Sequence, residues 1–130
     1  MLSNYKFLLV DDNVIDQIVT SKLLQKTLEI PEISIVNNGR EGIQWLYNYD
    51  NLNSQPLIIL LDIRMPEMDG FEFLSEYENL PEETKNRIHI YMLSSTLDYN
   101  DIQKAKDNKH VKKLLSKPFP IQKFKKIIGL

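Results

Sequence analysis

Short apolar runs recur along the chain, separated by polar stretches in which apolar residues fall at helical spacing. Five runs, Phe7–Val10, Ile33–Val36, Leu57–Leu61, Ile88–Leu93 and Val111–Leu115, are rich in aliphatic or β-branched residues and predict strands. The stretches that follow them predict helices: Ile15, Ile18, Val19 and Leu23; Ile43, Leu46 and Tyr47; Phe71, Leu74 and Tyr77; Ile102, Ala105 and Lys106, more weakly; and Ile121, Phe124 and Ile128. Breakers sit between these segments. Pro31 separates the first helix from the second strand, Gly39 opens the second helix, Gln55-Pro56 precedes the third strand, and Pro81 closes the third helix. Asp69-Gly70 and Asp98 are suited to start the third and fourth helices, Asp being a favourable cap. Five strand-then-helix units predict an α/β fold, a doubly wound five-stranded parallel sheet with helices on both faces. The almost wholly apolar runs at 7–10 and 57–61 fit central strands covered on both sides. Without a linker or an internal repeat, the expectation is a single domain over residues 1–130, with no output domain.

In open sheets of this kind ligands bind beyond the carboxyl ends of the strands, which directs attention to the residues there. Asp11-Asp12 follow the first strand, Asp62 the third, Ser94-Ser95-Thr96 the fourth and Lys117-Pro118 the fifth. Asp12 alone, just before a helix, reads equally well as a cap. Capping does not account for three carboxylates together, because converging carboxylates repel one another unless a cation intervenes. With no cysteine and only two histidines, the donors suit a hard divalent ion, and Mg²⁺ prefers a few carboxylates, waters and a phosphate oxygen.

Four segments carry a family resemblance: Leu8-Leu9-Val10-Asp11-Asp12-Asn13; Leu60 to Gly70, reading Leu-Leu-Asp-Ile-Arg-Met-Pro-Glu-Met-Asp-Gly; Met92-Leu93-Ser94-Ser95; and Leu115-Ser116-Lys117-Pro118-Phe119. In order and spacing they resemble the CheY-like receiver domain of bacterial two-component response regulators, over residues 5 to 129. The resemblance implies a flavodoxin-like fold with strand order 2-1-3-4-5. It also implies that Asp62 accepts a phosphoryl group from a histidine kinase or phosphotransfer protein. Mg²⁺ would be held by Asp11, Asp12, Asp62 and the backbone carbonyl of Arg64. Ser94 would be the switch hydroxyl, and Lys117 would contact the phosphoryl group beside a cis bond to Pro118. Such a domain catalyses its own phosphorylation and dephosphorylation without being a conventional enzyme. By the same resemblance, Arg64 and Thr96 occupy positions that tune how fast the acyl phosphate is lost. Leu114 stands where many receivers carry an aromatic switch residue, so the expected route of the signal is loop movement at Ser94 and Lys117. Gly70 fits a site of unusual backbone angle or close approach.

Two readings from other classes fit less well. A haloacid dehalogenase-type phosphohydrolase needs a D-x-D pattern after its first strand, which Asp11-Asp12-Asn13-Val14 does not supply. A nucleotide-binding module needs a glycine-rich phosphate loop, and the four glycines at 39, 42, 70 and 129 form none.

Charge adds a partner expectation. Residues 1–100 hold 7 Lys/Arg against 16 Asp/Glu, whereas residues 101–130 hold 9 Lys against 2 Asp. In this family the fourth helix, fifth strand and fifth helix commonly form the output face, here rich in lysine. It would meet the acidic surface of an output protein or of a second copy of this chain, although a lysine-rich helix is more often simply a solvated face. Nucleic acid and membrane are not expected as partners: the net charge is −2, and no apolar run reaches the length of a span. A start without the pattern of a secretory signal leaves the cytoplasm as the expected location.

Overall fold

The computed structural model describes residues 5–30, 32–49, 55–96 and 98–129, so Pro31 and Met1 to Asn4 lie outside the described residues. In chain order the elements are β1 (Lys6–Val10), α1 (Val14–Leu28), β2 (Ile33–Val36), α2 (Gly39–Tyr47), β3 (Leu57–Asp62), α3 (Gly70–Tyr77), α4 (Glu82–Lys85), β4 (Ile88–Ser94), α5 (Tyr99–Asp107), β5 (Val111–Ser116) and α6 (Ile121–Ile127). All neighbouring strands pair in parallel in the order β2-β1-β3-β4-β5. The winding reverses between β1 and β3, which puts their carboxyl ends side by side, with Val10 paired to Leu61.

Alternation along the strands divides the interior in two. Leu8, Val10, Ile59 and Leu61 pack under α2, α3 and α5 against Ile43, Leu46, Phe73, Leu74 and Ala105. Phe7, Leu9, Ile58 and Leu60 face the other way, onto Leu24 and Leu28 of α1 and Phe124 of α6. Every residue of β3 is buried, as a central strand covered on both faces requires.

Two expectations are corrected. The first concerns α1, where Ile15, Ile18 and Val19 point outward at 70%, 49% and 41% exposure while Thr20, Leu24 and Leu28 are buried. Two apolar stripes compete on this helix. The one nearer its C-terminus reaches the sheet, so the stripe beginning at Val14 lies on the surface. Tyr47 of α2 is likewise exposed. The second correction is an additional single-turn helix, α4. Pro81 does not end α3, which already stops at Tyr77; it stands at the N-cap of α4, where a missing N–H costs nothing.

Candidate functional site

Local structure at two strand ends, those of β1 and β3, aims the carboxylates. The chain leaves β1 at Asp11, whose N–H donates to the Val36 carbonyl (3.1 Å), and Asn13 then caps α1 by accepting from the Asp16 N–H (2.9 Å). Asp11 Oδ1 accepts from the Asn13 N–H at 2.9 Å, and the Gln17 side chain donates to the Asp11 carbonyl at 2.5 Å. Asp62 ends β3. The N-terminus of α3 packs directly against it, because a Cβ at Gly70 would lie 2.5 Å from the Asp62 carbonyl oxygen. Gly70 has an ordinary backbone angle, so close approach is its reason. A capping box between Asp69 and Glu72 then fixes the start of α3. In the intervening loop Glu67 adopts φ 64°, with its carboxylate accepting from Asn38 Nδ2 at 3.1 Å.

The carboxylates of Asp11, Asp12 and Asp62 each bring one oxygen to within 4.8 Å of the others. Asp11 is wholly buried and Asp62 nearly so, while Asp12 is exposed. Lys117 reaches in from beyond β5, its Nζ 3.0 Å from Asp11 Oδ2, 3.1 Å from Asp62 Oδ2 and 2.9 Å from Asp16 Oδ2. The bond from Lys117 to Pro118 is cis. Burial pushes the Asp62 carboxyl up to about 6, with the nearby Asp11 and Asp12 charges adding to the rise and Lys117 opposing it. Burial also raises Asp11, against the hydrogen bond from the Asn13 N–H and the contact with Lys117. For Lys117, burial disfavours the charge, but hydrogen bonds to Asp16 and Asp11 and the Asp62 charge outweigh it and hold the ammonium above its ordinary value.

These features fit a hard divalent cation. Asp11 Oδ2 is buried and, among the described residues, has no polar partner besides the Lys117 ammonium 3.0 Å away. It therefore has a lone pair free to coordinate. All the donors are oxygens, and two carboxylates lie in low-dielectric surroundings that favour a counter-charge.

The expected switch residues are near the site but differently engaged. Ser94 ends β4 one position beyond Leu93, the partner of Asp62 across the sheet. Its hydroxyl donates to the Thr96 carbonyl (2.8 Å) and accepts from the Thr96 N–H (3.1 Å), so it serves its own loop. The Ser94 carbonyl accepts from the Lys117 N–H at 2.8 Å, tying the two strand ends together. Leu114 is half-buried and lines a cavity of about 370 Å³ between α5 and β5, whose apolar wall includes Ile102, Ala105 and Val111.

Two carboxylates paired with cations at or beside this cluster were not read from the sequence. Asp16 looked like an ordinary first-turn acid of α1, and its contact with Lys117 spans 101 positions. Asp101 of α5 is 3% exposed and accepts two bonds from Arg64 Nη2, at 2.7 and 2.6 Å. The only hint was an acid one turn into a weakly patterned helix.

Comparison with known proteins adds an independent finding. A family model described as the response regulator receiver domain matches residues 7–129. The crystal structure of a response regulator receiver protein from Dyadobacter fermentans superposes with a TM-score of 0.86 at 35% identity, covering 95% of this chain and 94% of that one. A two-component response regulator from Cytophaga hutchinsonii gives a TM-score of 0.85 at 28% identity, covering 95% and 93%. Among curated proteins, the sensor histidine kinase CheAY of Helicobacter pylori is 40% identical over 85 residues, 61% of this chain. The chain spans only 10% of that kinase's length.

Proposed function

The chain belongs to the response regulator receiver family, a family of phosphoacceptor signalling domains, and from that premise we propose that Asp62 is its phosphoacceptor. The observation that carries this reading is the convergence of Asp11, Asp12 and Asp62 under the Lys117 ammonium. An Asp62 oxygen attacks the phosphorus of a phosphohistidine on a histidine kinase or phosphotransfer protein. The O–P bond forms as the P–N bond breaks, and the imidazole leaves with its electron pair. Lys117, already 3.1 Å from Asp62 Oδ2, is placed to neutralise charge on the transferred group. Asp11, Asp12, Asp62 and the Arg64 carbonyl would hold Mg²⁺, which when bound supplies further charge neutralisation. After transfer, the Ser94 hydroxyl exchanges its bond to the Thr96 carbonyl for a phosphoryl oxygen and draws the loop inward.

The phosphodonor docks over α1. Val14, Ile15, Ile18 and Val19 form an apolar patch beginning two residues after Asp12, and such a patch beside a reactive centre fits a helical partner. Output runs through α5, β5 and α6, toward an acidic partner or a second copy of the chain.

Incubation with acetyl phosphate and Mg²⁺, followed by intact mass measurement, tests the central assignment. One phosphoryl group is expected on the wild type and none on Asp62→Asn. Equal uptake by the variant would remove Asp62 from the role.

A further inference from the structure

The Arg64–Asp101 pair joins the phosphoacceptor loop to α5, and nothing in the proposed chemistry requires it. Asp101 lies in the first turn of α5, which Asp98 caps through the N–H groups of Asn100 (2.8 Å) and Asp101 (3.2 Å). Its side chain is 4% exposed, whereas that of Arg64 is 62% exposed. The aspartate is therefore fixed in the protein and the arginine approaches it from solvent. A buried carboxylate depends on its counter-charge, because removing one partner leaves the other desolvated and unpaired.

Arg64 stands two positions after Asp62 on the segment leaving β3. A phosphoryl group brings about −1.5 to −2 charge in place of the single carboxylate charge, and it attracts a nearby guanidinium strongly. If Arg64 shifts toward that charge, Asp101 either follows, carrying the first turn of α5 with it, or loses its partner and opens that turn to water. Both outcomes move the same element. Because Ile102, Ala105 and Lys106 of α5 form one wall of the cavity opposite Leu114, the displacement reshapes that cavity.

We propose that Asp101 is a positioning residue that, through Arg64, couples the charge state of Asp62 to the first turn of α5. The inference rests on Asp62 being the phosphoacceptor. It provides a route from the site to the α5–β5 face that needs no aromatic ring at position 114.

The experiment compares amide hydrogen exchange in α5 before and after treatment with acetyl phosphate and Mg²⁺, with phosphoryl incorporation followed by intact mass. In the wild type the amides of Asp101 and Ile102 should change their exchange rates by roughly fivefold or more, the lower end of ordinary coupling between sites. In Asp101→Asn, which keeps the shape and removes the buried charge, the phosphoryl group should still be incorporated and the response should fall below about fivefold, the lower end of ordinary coupling. A merely structural role would lower the melting temperature of the variant and leave the response intact. The Arg64 side-chain Nε–H resonance of the wild type, which needs no variant, should shift on phosphorylation. No uptake by the wild type would overturn the phosphoacceptor assignment and this inference with it. Uptake without a change in α5 or in the Arg64 resonance, or an undiminished response in Asp101→Asn, would overturn the coupling alone.

Discussion

With its carboxyl pushed up to about 6 by burial, Asp62 is ionised at neutral pH in surroundings that disfavour the charge. The unfolded chain holds this proton only to about pH 4, so between pH 4 and 6 the folded state binds more protons. In the absence of divalent metal, stability from this group is therefore highest below pH 4 and declines as pH rises to 6. Asp62→Asn should remove that decline and raise stability at pH 7 by about 3 kcal/mol in chelator-containing buffer. Chemical denaturation at several pH values measures it. Asp12 differs because it is exposed. Asp12→Asn should weaken Mg²⁺ binding while leaving metal-free stability within about 0.5 kcal/mol, as for most surface substitutions; thermal melts with and without Mg²⁺ separate the two effects. Asp11, Asp12, Asp62 and Lys117 were legible because each stands within two residues of the end of a strand-like run, and strand ends on one edge must meet. Asp16 and Asp101 were not legible, since a first-turn acid looks the same whether it faces water or a cation brought in from a distant strand.

At the scale of elements, α1 and α3 show what residue pattern can and cannot decide. Helical periodicity identified α1, but it could not say which of two apolar stripes faces the sheet, and the structure buries the one through Thr20, Leu24 and Leu28. The contrast makes a test. Leu24→Ala should cost about 2–5 kcal/mol, the usual range for emptying a buried leucine site. Ile15→Ser combined with Ile18→Ser should leave the fold within about 1 kcal/mol of wild type, both side chains being exposed. If the outer stripe receives the phosphodonor, the double variant should lose transfer from its phosphotransfer protein while taking up phosphate from acetyl phosphate at the wild-type rate. Equal transfer by wild type and variant would remove α1 from the docking surface. For α3, the glycine at its first position was visible in the sequence, yet its purpose emerged only from the fold. Gly70→Ala places a methyl group against the Asp62 carbonyl and should destabilise by about 1–3 kcal/mol, the usual cost of overpacking. Because the clash is with the strand end itself, phosphoryl uptake should slow as well. The single-turn α4 was unreadable for a simpler reason: four residues are too few to show a period.

Across the whole molecule, the charge asymmetry seen along the chain becomes a spatial one. The lysine-rich C-terminal quarter forms α5, β5 and α6, and β5 is an edge of the sheet with one of these helices packed on each face. The lysines consequently wrap around that edge. Lys112 and Lys113 are exposed on β5, where charged side chains also discourage unwanted strand pairing. Lys109 pairs with Glu78 at 3.2 Å, and Lys104 lies over the Phe71 ring at 5.3 Å. Lys112, Lys113, Lys123 and Lys126 make no ion pair among the described residues and stay available to a partner. Guarding an edge and recruiting an acidic surface predict different responses to salt. Recruitment is steered by charge, so partner binding or self-association of the phosphorylated protein should weaken steeply as ionic strength passes about 0.1 M, where the screening length is roughly 10 Å. Lys112→Glu, Lys123→Glu and Lys126→Glu together should abolish the salt dependence and most of the affinity, with phosphoryl uptake unchanged because Lys117 is untouched. If the lysines only guard β5, binding will be insensitive to salt and survive all three reversals, because glutamate keeps a charge on the edge. Sedimentation and a salt titration on the same two proteins distinguish these outcomes.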